Sequence, residues 1–154
     1  MKALTIYQPW ASLIAVGAKM FETRSWHTDY KGPIAIHAGK KHSLETLGQM
    51  FDDEGNVSER DELFINTCGS ILGGDRDEYG KDFWNALPYG AIIATAYLAD
   101  CLPTQDLLRE ITEDETLFGD WTPGRYAWEI INVALLPEPI PARGQQGLWE
   151  WRVA

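Results

Sequence analysis

Three ionic side chains, Lys19, Glu22 and Arg24, stand close together in the stretch GAKMFETRSW, residues 17–26. Read as a strand, the stretch puts Met20, Glu22, Arg24 and Trp26 on one face and Phe21, Thr23 and Ser25 on the other. A carboxylate and a guanidinium thus sit between two large apolar side chains. On an exposed strand they form a surface ion pair, worth about 0–1 kcal/mol. In a partly buried cleft an unpaired charge costs about 3–5 kcal/mol, so Glu22 must hold Arg24 or Lys19. Arg24 is then a fixed planar donor fork, suited to a phosphate or a base edge. Spacing alone leaves both readings open.

Other residues could join such a site. The chain has seven tryptophans. Most belong to a core, because a Trp buries a large area; one beside a cleft would stack a nucleobase for about 1–3 kcal/mol. Lys40 and Lys41, next to His42, read as a solvated helix entry that extends the basic segment toward a ligand. In the polar GQQG run, 144–147, the amides of Gln145 and Gln146 either read base edges or merely join two strands. His37 reads as a satisfied buried imidazole. Catalytic signatures are scarce, with no G-x-G-x-x-G, P-loop, G-x-S-x-G or H-E-x-x-H. Thr23 is the nearest nucleophile to Lys19 and Glu22, but it points to the opposite strand face. Cys68 and Cys101 lack metal or redox spacing and read as reduced, buried thiols. No metal or cofactor is expected.

The elements that must position these residues are legible in outline. KALTIY alternates as a first strand. Pro9 suits the start of a short helix, PWASLIAVG, closed by Gly17. KMFETRSW forms a second strand and IAIHA a third, with Ile34 and Ile36 on one face. KKHSLETLGQMF is a helix with a Ser43 cap. YGAIIATAYLADCL is a long strand with Ile92, Ala94, Ala96 and Leu98 on one face and Ile93, Thr95 and Tyr97 on the other. PTQDLLREI is a helix with Thr104 as N-cap. RYAWEIINVALLPEPI is another long strand, and GLWEW opens the last, with Trp149 and Trp151 on one face. Residues from about 50 to 85 read as an acidic, Gly-containing insertion holding one short helix near Glu59–Cys68. Short helices among six or so strands predict an α+β domain built round a mixed, barrel-like sheet.

At 154 residues the chain is expected to form one domain over 1–154. No apolar run approaches the roughly 20 residues that span a bilayer, and the start lacks a secretory pattern, so a cytoplasmic protein is expected. The net charge of −10 argues against wholesale nucleic-acid binding. That charge is unevenly spread, however. Residues 17–43 carry five basic and two acidic side chains, a net of +3, whereas residues 44–82 carry −8. A local basic patch attracts a polyanion at short range, because charges beyond about 8–10 Å are screened.

Three blocks carry a resemblance. Q-P-W-A-S-L, then G-x-K-x-x-E-x-R-S-W, then a Gly-led strand and a Lys pair stand at Gln8–Leu13, Gly17–Trp26 and Gly32–Lys41. With LPYGAIIATAYLADCL and GLWEW, they resemble the ASCH domain, the activating-signal-cointegrator homology module. The resemblance covers most of the chain except about 50–85 and 110–122. It implies a PUA-like fold and homology to a transcription coactivator. It also implies a cleft for RNA, another nucleic acid or a nucleotide, lined by Lys19, Glu22 and Arg24 with Ser12, Ser25 and Trp26 in support. A bacterial branch of that superfamily hydrolyses acetylated cytidine with a Lys, a Thr three residues on and a distant Glu. Here Glu22 stands at the Thr position, so a hydrolase with Lys19 and Glu22 in acid/base roles is the alternative. A ribonuclease-like hydrolase and an adaptor that binds a protein through the acidic segment are further alternatives.

Overall fold

The computed structural model describes residues 1–73 and 81–153. In chain order the elements are β1 (Lys2–Ile6), α1 (Trp10–Ala15), β2 (Phe21–Arg24), β3 (Gly32–Ala38), α2 (Ser43–Gly48), α3 (Glu59–Ile71), α4 (Lys81–Asn85), β4 (Ala91–Pro103), α5 (Thr104–Leu107), α6 (Glu113–Phe118), β5 (Tyr126–Pro141) and β6 (Leu148–Glu150). The strands form one mixed sheet in the order β2-β5-β4-β3-β1-β6. Among these strands β1 and β3 run parallel; the other neighbours are antiparallel. The sheet curls into an open half-barrel with short helices around it, an α+β, PUA-like architecture.

The curl has a local cause. The long β4–β5 ladder shifts register at Ile92/Ala94, Thr95/Tyr97 and Leu98/Asp100. Each extra residue bends its strand and tightens the twist. Asn132, at φ 53°, supplies one of these kinks, a conformation that Asn tolerates better than most residues. The shifts also break the strict alternation expected in β4. Ile93 joins Ala94, Ala96 and Leu98 in the main core, while Ile92 turns to the opposite sheet face with Ala3, Ala35 and Trp149.

That main core lies between the sheet and α1. Leu4, Ile6, Ile34, Ile36, Trp128 and Ile130 meet Ala11, Ile14 and Ala15. Burying each large aliphatic side chain stabilises by about 1.5–3 kcal/mol. Gly17 ends the α1 segment as expected, with φ 80° and its N–H on Ile14 O. The other side of α1 meets a second core, in which Leu13 packs with Leu47, Phe64, Cys68, Trp84 and Phe118. The acidic segment is therefore anchored by buried side chains. Its helix, α3, runs to Ile71, beyond the expected Cys68; residues 74–80 of that segment lie outside the described residues.

Two local expectations need correction, and one helix was not anticipated. The second strand is shorter than KMFETRSW, because only Phe21–Arg24 pairs with β5. Thr104 does not cap α5. It is fully buried, and its hydroxyl donates to the carbonyls of Thr122 and Arg125. The helix α6 was hidden in an acidic run, although Thr112 accepts the Glu115 N–H at 3.2 Å as a cap. The T-x-x-E spacing is the signal that finds it. Both cysteines are buried and unbridged, and burial pushes the Cys68 thiol well above its ordinary range.

Candidate nucleic-acid interface

Three strands separate β2 from β1 in the sheet order, and the curl brings these two strands face to face. Arg24 spans the gap. Its Nε donates to Glu22 Oε1 at 3.1 Å, and Nη2 donates to the Thr5 carbonyl of β1 at 2.7 Å. The other oxygen of Glu22 faces Lys19 Nζ at 3.5 Å, and the Lys19 ammonium also donates to the Phe21 carbonyl. One carboxylate thus bridges two cations. Their environments differ: the Lys19 side chain is 2 % exposed, Glu22 13 % and Arg24 24 %. Lys19 is locked in the interior, while Arg24 keeps part of its fork at the surface. Two of the five guanidinium hydrogens are engaged, leaving donors for a ligand.

The surface end of this ladder opens on a groove of about 580 Å³. Glu22, Arg24 and Trp26 form one side, Thr5, Tyr7 and Trp10 the floor, and Gln145 and Gln146 the far rim. Trp26 is held edge-on to Trp128, ring centres 4.6 Å apart, and Trp128 Nε1 donates to the Trp26 carbonyl. Lys41 lies over the exposed Tyr7 ring, its Nζ 5.6 Å from the centroid. Cation, aromatic faces and amides therefore share one concavity.

The Lys19 end of the ladder faces a second cavity, also open to solvent, of about 350 Å³, lined by Lys19 and Thr23 with Phe64, Phe118, Arg60 and Arg125. Trp10 and Glu22 border both spaces. Thr23 turns toward the segment after α6 and accepts the Asp120 N–H at 3.0 Å.

Not every expected residue reaches the groove. Ser12 is buried in α1, where Gln8 Nε2 donates to its hydroxyl at 2.8 Å. Ser25 is exposed but borders neither space, and Lys40 is exposed along the backbone of Gly90. Tyr7 in the groove, and Arg60 and Arg125 in the second cavity, escaped sequence reasoning: the curl brings Tyr7 beside β2, the packing of α3 brings Arg60, and the pairing of β5 with β2 brings Arg125. Glu115 also escaped it. This α6 carboxyl is 4 % exposed, and its Oε1 accepts the Met20 N–H next to Lys19. Its Oε2 is buried without a hydrogen-bond partner. Burial holds the Glu115 carboxyl above its ordinary range, opposed by the Met20 hydrogen bond and the Lys19 charge. His37, expected to be satisfied, is so only in part: its Nε2–H donates to the Ala142 carbonyl at 2.9 Å, while Nδ1 is buried without a partner. Burial lowers its pKa below the ordinary 6.5. Among the described residues no group of three or more His, Cys, Asp or Glu side chains converges to hold a metal. None of the described helices is long and apolar enough to cross a membrane.

Over 148 residues the chain is 33% identical to activating signal cointegrator 1 of Mus musculus and of Homo sapiens; the match takes in 96% of this chain but 22% of those proteins. This chain thus spans about a fifth of the length of these relatives. Crystal structures of ASCH from Zymomonas mobilis, native and point-mutant, share the fold at TM-scores of 0.53 and 0.52, with 12% and 13% identity. They cover 98% of this chain, which in turn covers 87% and 89% of theirs. The ASCH domain profile matches residues 4–140, and the chain belongs to the ASCH domain family.

Proposed function

We propose that the groove between β1, β2 and the 144–147 turn binds single-stranded nucleic acid, RNA above all. The observation that carries the reading is Arg24. A guanidinium held from one side by Glu22 and Thr5, with donors left over, stands in a groove with Trp10, Trp26 and two glutamine amides. Aromatic faces that stack bases beside a cation that holds phosphate are the parts of a single-strand site. The family, many of whose members bind RNA, supports the same reading. Few phosphates would be held, so the salt dependence is shallow, about 0.7 in log–log slope per neutralised phosphate.

Fluorescence anisotropy with a labelled oligouridylate tests this. Arg24→Ala should weaken binding at least about tenfold, the scale of a lost charge-assisted contact. Binding equal to the native protein's sinks the assignment. Lys19 is unsuited to the same test, because its side chain is interior and its removal disturbs the fold.

A second reading concerns the cavity beside Lys19 and Thr23. Lys19 and Glu22 lie 3.5 Å apart on its wall, an arrangement that supports acid/base work on a modified nucleoside. Incubation with acetylcytidine at high protein concentration decides it; absence of product retires the hydrolase.

A further inference from the structure

We propose that the nucleic-acid groove continues past the 143–147 turn onto a second contact made by Arg143, Trp151 and Arg152. The inference rests on the single-strand reading above and extends its footprint.

The sheet end beyond the turn carries its own concavity of about 340 Å³, lined by these three residues together with Trp149, Ile140 and Glu150. Arg143 and Arg152 are exposed and make no ion pair among the described residues. On a chain with a net charge of −10, two unneutralised guanidiniums at one hollow stand out. The acid that lines it, Glu150, is already held by Lys2 Nζ at 2.9 Å. The local field therefore favours an anion.

The aromatic component is built rather than incidental. Trp151 packs on the cluster of Ala3, Ala35, Ile92 and Trp149, and its backbone N–H donates to the Met1 carbonyl at 2.8 Å. The residue is half-buried, with part of its surface left for a partner. A fixed Trp that shares one hollow with two arginines offers stacking and phosphate contacts together.

The hollow is joined to the groove by covalent and hydrogen-bonded links. Arg143 is two residues from Gln145, at most about 7 Å along an extended chain. Trp149 Nε1 donates to Thr5 Oγ1 at 3.1 Å, and the carbonyl of the same Thr5 accepts from Arg24. Thr5 thus belongs to the groove floor and is bonded to the wall of the second hollow. A strand leaving the groove over Gln145 and Gln146 meets Arg143 next, then Trp151 and Arg152. A folded mononucleotide or a compact anion would gain nothing from the second contact, whereas an extended strand engages both.

The test uses the full chain and oligouridylates of 4, 8 and 12 nucleotides, read by anisotropy across a salt series. The double variant Arg143→Ala/Arg152→Ala should bind the 12-mer about tenfold more weakly and bind the 4-mer within about twofold of native. Its 12-mer salt slope should fall by about 1.4, two phosphates on a single strand. Arg143→Lys/Arg152→Lys should restore the slope, because the charge is kept. An unchanged 12-mer affinity and slope in the alanine variant overturns the extension; so does equal weakening at all three lengths. A polyglutamate peptide that binds with the same arginine dependence overturns the nucleic-acid assignment of this contact. Binding at every length that ignores Arg24→Ala instead strikes the groove itself, so the two failures are separable.

Discussion

Removing the carboxylate of Glu22 should cost a measurable fraction of the protein's stability, and the structure sets the size of the effect. In Glu22→Gln, Lys19 keeps the Phe21 carbonyl but loses its ion-pair partner inside a site where its side chain is 2 % exposed. Breaking such a pair from one side costs about 3–5 kcal/mol. The lower end applies, because the Glu115 carboxyl adds some field at Lys19. About 3 kcal/mol, at a urea m-value of roughly 2 kcal/mol/M, moves the unfolding midpoint down by about 1.5 M. Lys19→Met should cost less. Glu22 then retains Arg24 at 3.1 Å and is itself partly solvated. Lys19→Met/Glu22→Gln should recover part of the loss, since no buried charge is stranded. Urea unfolding of the four proteins, followed by tryptophan fluorescence, completes the cycle. A Glu22→Gln cost below about 1 kcal/mol, the range of exposed pairs, would refute the claim that the ladder is anchored in the interior.

Other outcomes follow from the same structure. Glu115 has its pKa raised by burial, so its stabilising effect is complete below the ordinary value of 4.5 and is lost as pH rises through the folded value. Glu115→Gln should flatten that part of the stability–pH curve, as urea midpoints from pH 4 to 8 will show. His37 behaves oppositely: its lowered pKa gives stability present above 6.5 and lost as pH falls toward the folded value, a loss that His37→Gln should remove. Gly144→Ala places a methyl 2.6 Å from His37 Cε1 and 2.9 Å from Thr5 Oγ1. A cost of about 1–3 kcal/mol is expected in the melting curve, together with weaker oligouridylate binding as the Gln145–Gln146 rim shifts. Thr112→Ala should remove the α6 cap for about 1 kcal/mol, measurable in the same melts.

What the linear order of residues determined here is mostly local. The run KALTI alternates and becomes β1; Gly17 must end a helix; Ile34 and Ile36 share a face because the strand period is two. The charge pattern G-x-K-x-x-E-x-R was likewise readable, since a carboxylate between two cations demands a physical reason wherever it is buried. Tertiary structure decided which end of that pattern meets solvent. Strand spacing could not separate Lys19, which is sealed, from Arg24, which is open, because burial depends on what packs above β2: α1, α6 and the second core. Nor could it place Thr5, Tyr7 and Gln145 beside Arg24. They belong to separate stretches of the chain, β1 with its following turn, β2, and the 144–147 turn, which meet through the curl of a sheet whose bulges on β4 and β5 leave no periodic trace. Alternation is a property of one strand; a groove is a property of how several strands bend together.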